Sequence, residues 1–211
     1  MNYIADQIPD NASVLEIGPG HVPFKRATHW VDFQNIQPNT TKVDLSSEVL
    51  PFGDDEFDFI YCRHVLEDMY NPVLLLKEMS RVGKSGYIET PSPIAELSRG
   101  VDGGSPPYRG YHHHRWVLWV HQGEFRFTTK YPFAEYLTFE EERSLSWLRQ
   151  GPKYWNTYYL WKDKINWVHR QNALDYSLPT DLRSLMNDAL LQSVSASDDF
   201  WTNIPRNEIA A

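Results

Sequence analysis

The segment VLEIGPG, residues 14–20, constrains the fold most strongly, because it joins a short apolar strand directly to a glycine-rich turn. Its apolar residues indicate a buried parallel strand, and Gly18-Pro19-Gly20 ends that strand. Glycine lets the backbone turn sharply and lets a ligand approach the main chain closely. Glu16 stands near the end of the strand, where open α/β sheets bind nucleotides. The segment therefore predicts an α/β sheet with a ligand site at Glu16, Gly18 and Gly20.

Two further acidic residues follow predicted strands. Asp32 ends the short run 29–31, and a carboxylate there can accept hydrogen bonds from both hydroxyls of a ribose. In the third segment, 42–45, Asp44 would accept from the exocyclic amine of an adenine while Leu45 covers one face of the ring. The pattern predicts a site for a nucleoside.

The elements that follow continue the alternation of strands and helices. We predict a fourth strand over residues 57–61, a helix over 72–82 and a fifth strand over 86–90, introduced by the turn 83–86. Alternating strands and helices of this kind are typical of a sheet with mostly parallel strands.

Over residues 14–93 the chain resembles a class I S-adenosylmethionine-dependent methyltransferase of the small-molecule branch, similar to the type 11 methyltransferases. The resemblance lies in the order and spacing of EIGPG, VDF, DLSSEVLPFGDDEFD, RHVLED and LLKEMSRVGKSG. It implies S-adenosylmethionine as cofactor, with S-adenosylhomocysteine as product. The cofactor-binding residues that it implies are Glu16, Gly18, Gly20, Asp32, Asp44, Leu45 and His64.

The sequence departs from the family pattern at two places. His21-Val22-Pro23 stands where the family has its third glycine, so we expect the first helix to start differently. Asp68 replaces the second histidine of the family's H-V-L-E-H motif, and no role is carried onto that position.

The expected fold class is α/β, a Rossmann-like doubly wound sheet of seven mostly parallel strands with an antiparallel last strand. An extra β-hairpin and a C-terminal helix would complete it. We expect a single methyltransferase domain over residues 1–195, with a cofactor half (1–93) and an acceptor and lid half (94–195). Residues 196–211 are expected to form a loose tail.

The second half begins with a segment rich in proline, glycine and serine, residues 91–110, which predicts a long loop. Long loops in compact domains are often functional, so a lid over the substrate and simple disorder both stay open. Residues 115–121 and 124–131 alternate around Gln122-Gly123 and predict a β-hairpin, one arm of which would be strand six of the main sheet.

The last elements are predicted from composition and periodicity. Residues 157–169 are aromatic and β-branched, which favours a hairpin containing strand seven, with a helix as the alternative. Residues 179–193 predict an amphipathic helix with Thr180 as N-cap. Its apolar face would consist of Leu182, Leu185, Met186, Ala189 and Leu190.

The run Tyr111-His112-His113-His114-Arg115-Trp116 is the candidate acceptor site. In a strand, His112 and His114 would share one face and His113 the other. Three interpretations stay open: a catalytic base with Tyr111, Arg115 and Trp116 as substrate ligands, a divalent metal site completed by a carboxylate, or histidines that only support the loop.

Aromatic residues are frequent, with 8 Trp and 12 Tyr, and many follow residue 108. Flat aromatic faces suit sugar rings, although packing in the core must account for most of these side chains. The sequence therefore predicts O-methylation of a sugar or glycan hydroxyl. The alternatives are an N- or C-methyltransferase of a small aromatic metabolite and a non-catalytic partner subunit that keeps the fold.

Charge and composition restrict the partners. A net charge of −8 without a basic cluster argues against nucleic acid. The single cysteine, Cys62, excludes an internal disulfide, and we expect a buried thiol. Since neither a signal segment nor an apolar run of membrane length is present, we expect a soluble cytoplasmic protein. It is expected to be either a whole enzyme or a module of a larger glycan-modifying polypeptide.

Overall fold

The computed structural model describes residues 2–34, 37–102, 108–136, 141–170 and 179–204. Within these residues the strands are β1 (Val14–Ile17), β2 (His29–Asp32), β3 (Thr41–Lys42), β4 (Phe59–Arg63), β5 (Ser85–Pro91), β6 (Trp116–His121), β7 (Glu124–Thr129), β8 (Asn156–Lys162) and β9 (Trp167–His169). The α-helices are α1 (Asn2–Ala5), α2 (Pro72–Val82), α3 (Pro93–Leu97), α4 (Glu141–Gln150) and α5 (Pro179–Asn203). No helix in these ranges is both long enough and apolar enough to span a membrane.

The chain divides into two compact units. Unit one contains Met1–Ile88, Tyr159–Ile165 and Thr202–Ala211, and unit two contains Glu89–Tyr158 and Asn166–Trp201. Each unit is described by itself below.

The main sheet has six strands in the order β3-β2-β1-β4-β5-β8. β1 lies parallel to both β2 and β4, with Leu15 opposite His29 and Val14 opposite Phe59. All four residues of β1 are buried, as the apolar pattern predicts. This confirms the mixed α/β fold with a mostly parallel sheet, but the sheet has six described strands rather than the expected seven.

Helix α2 connects β4 to β5 and has the bounds that its periodicity predicts. Asn71 caps it, because its Oδ1 accepts from the backbone N–H of Leu74 at 3.2 Å. Pro72 occupies the first turn, where no N–H donor is required. The helix buries an apolar face that includes Leu75, Leu76, Met79 and Val82.

The connection from β1 to β2, unlike the connection from β4 to β5, contains no helix. Residues 18–28 contain turns and bends but no helix. Pro19 and Pro23 lack the N–H donors that a helix here would use, and the N–H of Phe24 is taken by the side chain of Glu16. The expected first helix is therefore absent from this connection.

Unit two is organised around a second sheet of three strands in the order β6-β7-β9. β6 and β7 form the predicted hairpin, and Gln122 and Gly123 both have positive φ (51° and 76°), as a tight two-residue turn requires. Since this hairpin belongs to the second sheet, the expectation that one arm is strand six of the main sheet is wrong. Val117, Leu118 and Trp119 are buried in succession, so both faces of β6 are covered.

Residues 157–169 do not form the predicted hairpin. β8 is an edge strand of the main sheet, whereas β9 pairs in parallel with β7, with Phe125 opposite Trp167. The backbone turns between them at Asp163, which has φ 64°. The aromatic and β-branched composition predicted strands correctly but not their partners.

Helices complete the core of unit two. On α5, Leu182, Met186, Ala189 and Leu190 are buried and Leu185 is half-buried, which confirms the predicted apolar face. Thr180 is the second residue of this helix rather than its N-cap, because the helix begins at Pro179. The helix extends to Asn203, into the segment expected as a loose tail, and residues 205–211 lie outside the described part.

The segment 91–110 contains more structure than a loop. α3 is buried throughout, and Ser92 caps it by accepting from the backbone N–H of Ala95 at 3.2 Å. The prolines of this segment indicate a loop when only the sequence is considered. Proline is nevertheless compatible with the first turn of a helix, and Pro93 begins α3. Residues 103–107 of the segment lie outside the described part.

Candidate functional site

The glycine turn that follows β1 forms the centre of the candidate site in unit one. Gly18 has φ 65°, and a Cβ there would lie 2.5 Å from Cγ2 of Val65, so only glycine fits without a shift. Gly20 has φ 53°, and a Cβ there would meet no atom within 4 Å. The backbone at Gly20 is thus open to a ligand.

A cavity of about 210 Å³ lies against this turn. It is lined by Ala5, Glu16, Gly18, Pro19, Val22, Pro23, Phe24, Lys25, Tyr61 and Arg63. The ionisable acidic and basic side chains of the lining are therefore one carboxyl group and two cations, and the rings of Phe24 and Tyr61 stack with centroids 4.0 Å apart.

Glu16 is the buried acid of this cavity, with only 4% of its surface exposed. Its two carboxyl oxygens accept from the backbone N–H of Phe24 at 3.0 and 2.9 Å. Burial raises the pKa of Glu16 to about 7, and the hydrogen bond from Phe24 acts in the opposite direction. Near neutral pH this carboxyl group is therefore poised between its protonated and ionised forms.

The other predicted cofactor residues lie outside the lining of this cavity. Asp32 ends β2, is buried, and accepts from the backbone N–H of Gln34 at 3.0 Å. Asp44 lies in an exposed turn after β3, where hydrogen bonds from the Ser47 hydroxyl and the Ser46 backbone lower its pKa. Leu45, beside it, is buried.

His64 follows β4 directly and has a positive φ of 54°. Its Nδ1 lies 3.2 Å from Oε1 of Glu67, which is buried. The exposed imidazole is therefore held by a local contact with Glu67, which lies three residues later in the chain.

Sequence reasoning missed Tyr61, Arg63 and Lys25 as lining residues. Tyr61 and Arg63 are two residues apart on β4, so their side chains lie on the same face of the strand. Arg63 was missed because β4 extends two residues beyond the predicted end at residue 61. The signal was the continuation IYCR after the apolar run. Lys25 lies in the turn after β1, and only the path of this turn brings it to the cavity.

The predicted catalytic histidines lie in unit two, in a turn rather than a strand. The backbone N–H of His114 bonds to the carbonyl oxygen of Tyr111 at 3.3 Å, and β6 begins only at Trp116. The expected alternation, with His112 and His114 on one strand face, is therefore wrong. In this turn, His112 and His114 contact different carboxylates, Asp102 and Glu96.

His114 is the most buried of the three. Its Nδ1 lies 2.6 Å from Oε1 of Glu96, whose side chain on α3 is fully buried. Lys130 donates to Oε2 of Glu96 at 2.6 Å and to the carbonyl oxygen of Tyr111 at 2.7 Å. Burial of a carboxylate is tolerated when it is paired and hydrogen-bonded in this way.

His112 and His113 are exposed, unlike His114. His112 Nδ1 lies 2.6 Å from Oδ2 of Asp102, and this contact lowers the pKa of Asp102. Asp102, His112 and His113 each offer a possible metal-ligating atom, and these three atoms lie within 4.8 Å of one another.

The three predicted substrate ligands have different surroundings. Tyr111 packs its ring against His114, with centroids 4.6 Å apart. Arg115 is exposed. Trp116 packs edge-on against Phe127 and His169 in the second sheet, with both centroid distances 5.5 Å. Trp116 is thus largely a packing residue, while Tyr111 and Arg115 remain beside the histidines.

Comparison with known proteins adds to this picture. Residues 11–88 match the family model described as a methyltransferase domain. None of the curated proteins compared with the chain matches it.

Several solved structures are similar to parts of the chain. The YcgJ protein from Bacillus subtilis is 21% identical over 43% of this chain and 48% of its own, with a TM-score of 0.36. A putative methyltransferase from Bacillus halodurans is 23% identical over 43% and 50%, with a TM-score of 0.35. An S-adenosylmethionine-dependent methyltransferase from Mesorhizobium loti is 15% identical over 90% and 77%, with a TM-score of 0.39.

The chain thus covers about half of the first two of these proteins. At such identities and TM-scores the likenesses say nothing of activity or acceptor. The match to the family model covers β1, its glycine turn and most of the parallel strands. The same residues contain the motifs from EIGPG to LLKEMSRVGKSG. Residues 11–88, just over a third of the chain, are thus similar to a methyltransferase domain.

Proposed function

We propose that the protein is an S-adenosylmethionine-dependent O-methyltransferase that acts on a hydroxyl of a sugar or glycan. The observation that carries the proposal is the contact between His114 and the buried Glu96, 2.6 Å long. An ionised Glu96 keeps the proton of the imidazole on Nδ1, so Nε2 is the nitrogen that can accept a proton. An alcohol acceptor requires such a base, whereas a more nucleophilic acceptor does not.

The residues of unit one fit part of the methyl donor. Lys25 and Arg63 line the cavity and would attract the donor's carboxylate, and Glu16 would face its ammonium group. Because ligand pockets usually measure ~300–1,000 Å³, the cavity of about 210 Å³ would hold the amino-acid end only. Asp32, Asp44, Leu45 and His64 would bind the remainder, and the open backbone at Gly20 allows a close approach.

The donor supplies a methyl group on a positively charged sulfur. When bound, the donor would transfer this carbon from sulfur to the acceptor oxygen, and a neutral thioether would leave. The hydroxyl proton passes to Nε2 of His114. Glu96 then stabilises the imidazolium that has formed, and Lys130 holds Glu96 in position.

Surface aromatic residues support a sugar acceptor, although fewer than composition suggested. Trp119 and Trp161 are buried and serve the core. In unit two, Tyr108, Tyr136 and Trp155 remain exposed, and their flat faces are suited to stacking on sugar rings. An acidic chain with a net charge of −8 also favours a neutral acceptor over a phosphorylated one.

The base assignment is tested by His114→Gln, with His121→Gln as matched control. We expect the first variant to lower kcat by ~10²–10⁴-fold, the usual contribution of a general base. S-adenosylhomocysteine affinity, measured by calorimetry, should stay unchanged in both variants. Turnover by His114→Gln at the wild-type rate would remove the base from the proposal.

The acceptor is tested with a panel of methyl glycosides, matched deoxy-sugars and small aromatic amines. We expect methylated product with glycosides that is lost when one specific hydroxyl is missing. Product only with the amines would instead favour N-methylation of an aromatic metabolite.

One observation favours a second candidate, a non-catalytic partner subunit that keeps the fold. The connection over residues 18–28 lacks a helix, so no helix N-terminus follows the glycine turn to bind an anionic group of the ligand. Calorimetry with S-adenosylhomocysteine separates the two candidates, since the partner subunit would give no binding heat at several temperatures.

A further inference from the structure

The candidate catalytic base leaves His112 and His113 without an assigned role. Both are exposed and adjacent in sequence, and both lie close to a carboxylate from a different loop, Asp102. Their ring centroids are 5.3 Å apart with planes inclined by 75°, so the two imidazoles do not stack on each other. One ligand atom from each of the three residues lies within 4.8 Å of the other two.

We propose that Asp102, His112 and His113 bind a divalent transition-metal ion of the zinc class. The site does not depend on methyl transfer and lies entirely within unit two.

The backbone brings the three ligands together through a defined loop base. Ser98 accepts from the N–H of Gly110 at 2.8 Å, and Tyr108 accepts from the N–H of Gly100 at 3.2 Å. These bonds pair the chain before Asp102 with the chain just before the histidine turn. Asp102 is thereby held near His112, which follows it by ten residues.

A buried arginine fixes this loop base. Arg109 is 2% exposed, and its guanidinium donates to the carbonyl oxygens of Leu97 at 2.6 Å and Ala134 at 3.1 Å. Gly110 lies so close to α3 that a Cβ there would be 2.5 Å from Cα of Glu96. The described backbone on either side of residues 103–107 is therefore fixed, which limits the entropy lost when a metal orders its ligands.

The donor set selects the class of metal. Two imidazole nitrogens with one carboxylate oxygen match the three-ligand sites in which zinc keeps a further position for water. Imidazole suits zinc, copper and nickel, whereas magnesium and calcium prefer oxygen ligands alone. The side chain of His112 is 71% exposed, so water can complete the coordination shell.

The ion pair between His112 and Asp102 is accompanied by a second imidazole, since His113 also interacts electrostatically with Asp102. The contact between His112 and Asp102 is exposed, and exposed pairs stabilise a fold by ~0–1 kcal/mol. Such a pair does not require a second imidazole beside it. A metal ion would bind all three groups at once, because their ligand atoms lie within 4.8 Å of one another.

The test is calorimetric titration of zinc chloride into the full chain after treatment with a chelator and dialysis. We expect one zinc ion bound per chain. Because loss of a group that only supports a ligand typically lowers metal affinity 10–100-fold, we expect His113→Ala and Asp102→Asn each to lower it at least ~10-fold. His121→Ala is the matched control, since it removes an imidazole at the far end of β6, and should bind zinc as the wild type does.

Cobalt provides a second measurement, because its visible absorption bands report the ligands around the ion. Bands that appear with the wild type and His121→Ala but not with His113→Ala would support the site. Absence of saturable zinc binding by the wild type would overturn the proposal. Equal affinity of His113→Ala and the wild type, with circular dichroism showing both folded, would also overturn it.

Discussion

Glu16→Gln provides the sharpest test of the buried carboxyl group at the cavity. The variant keeps the shape of the protonated side chain and can still accept from the N–H of Phe24, but it does not titrate. Burial raises the pKa of Glu16 from 4.5 to about 7. The folded state therefore holds a proton that the unfolded state releases at lower pH.

The sign and size of the effect follow from this pKa difference. The stabilising contribution of the raised pKa is fully present below pH 4.5 and is lost as the pH rises to about 7. At 1.36 kcal/mol for each pKa unit, a difference of ~2.5 corresponds to about 3 kcal/mol. The wild type loses this amount of unfolding free energy between pH 4.5 and 8, and Glu16→Gln does not.

The assay is urea unfolding followed by circular dichroism at several pH values from 4.5 to 8. We expect the unfolding free energy of Glu16→Gln minus that of the wild type to rise by about 3 kcal/mol over this range. Asp58→Asn is the control. Hydrogen bonds from Lys84 and Ser13 lower the pKa of Asp58 to about 2, so its contribution is lost only as the pH falls below this window, and its difference should stay constant above pH 5. Parallel curves for Glu16→Gln and the wild type would refute the raised pKa.

Two further predictions concern the glycine turn and the end of β2. Gly18→Ala should lower the unfolding free energy by about 1–3 kcal/mol, because its Cβ would clash with Val65 at a positive φ. Gly20→Ala, which also has a positive φ but open space, should lose less in the same urea titration, and equal losses would contradict the clash. Asp32→Ala should weaken S-adenosylhomocysteine binding by about 1–3 kcal/mol through lost hydrogen bonds to the ribose, measured by calorimetry. Unchanged affinity would remove Asp32 from the donor site.

Much of unit one was predictable because its signals are local. A buried run ended by glycine predicts a strand and a turn, and β1 and its turn are found there. The apolar periodicity of residues 72–82, with Asn71 before it, predicts α2 and its cap. Cys62 lies on β4 and is buried, as the apolar run around it indicates. Each of these features depends on neighbours within a few positions along the chain.

In the second half of the chain, local sequence signals did not predict which strands pair with each other. The hairpin of β6 and β7 was predictable from alternation around Gln122-Gly123, but its sheet was not. Which strand lies beside an apolar strand depends on contacts far apart in sequence, such as the pairing of β7 with β9. Proline in residues 91–110 indicated a loop, and burial against the core of unit two made part of it helical.

The features of the candidate site were likewise predictable only where they depend on local sequence. The sequence indicated the resemblance to methyltransferases, the glycine turn after β1 and the run of three histidines. The folded chain was needed to show that Glu16 is buried against Phe24, that His114 pairs with Glu96, and that Asp102 approaches His112. The physical reason is that a pKa or a hydrogen-bond partner depends on distance in space and on exclusion of water, and neither is encoded by local periodicity.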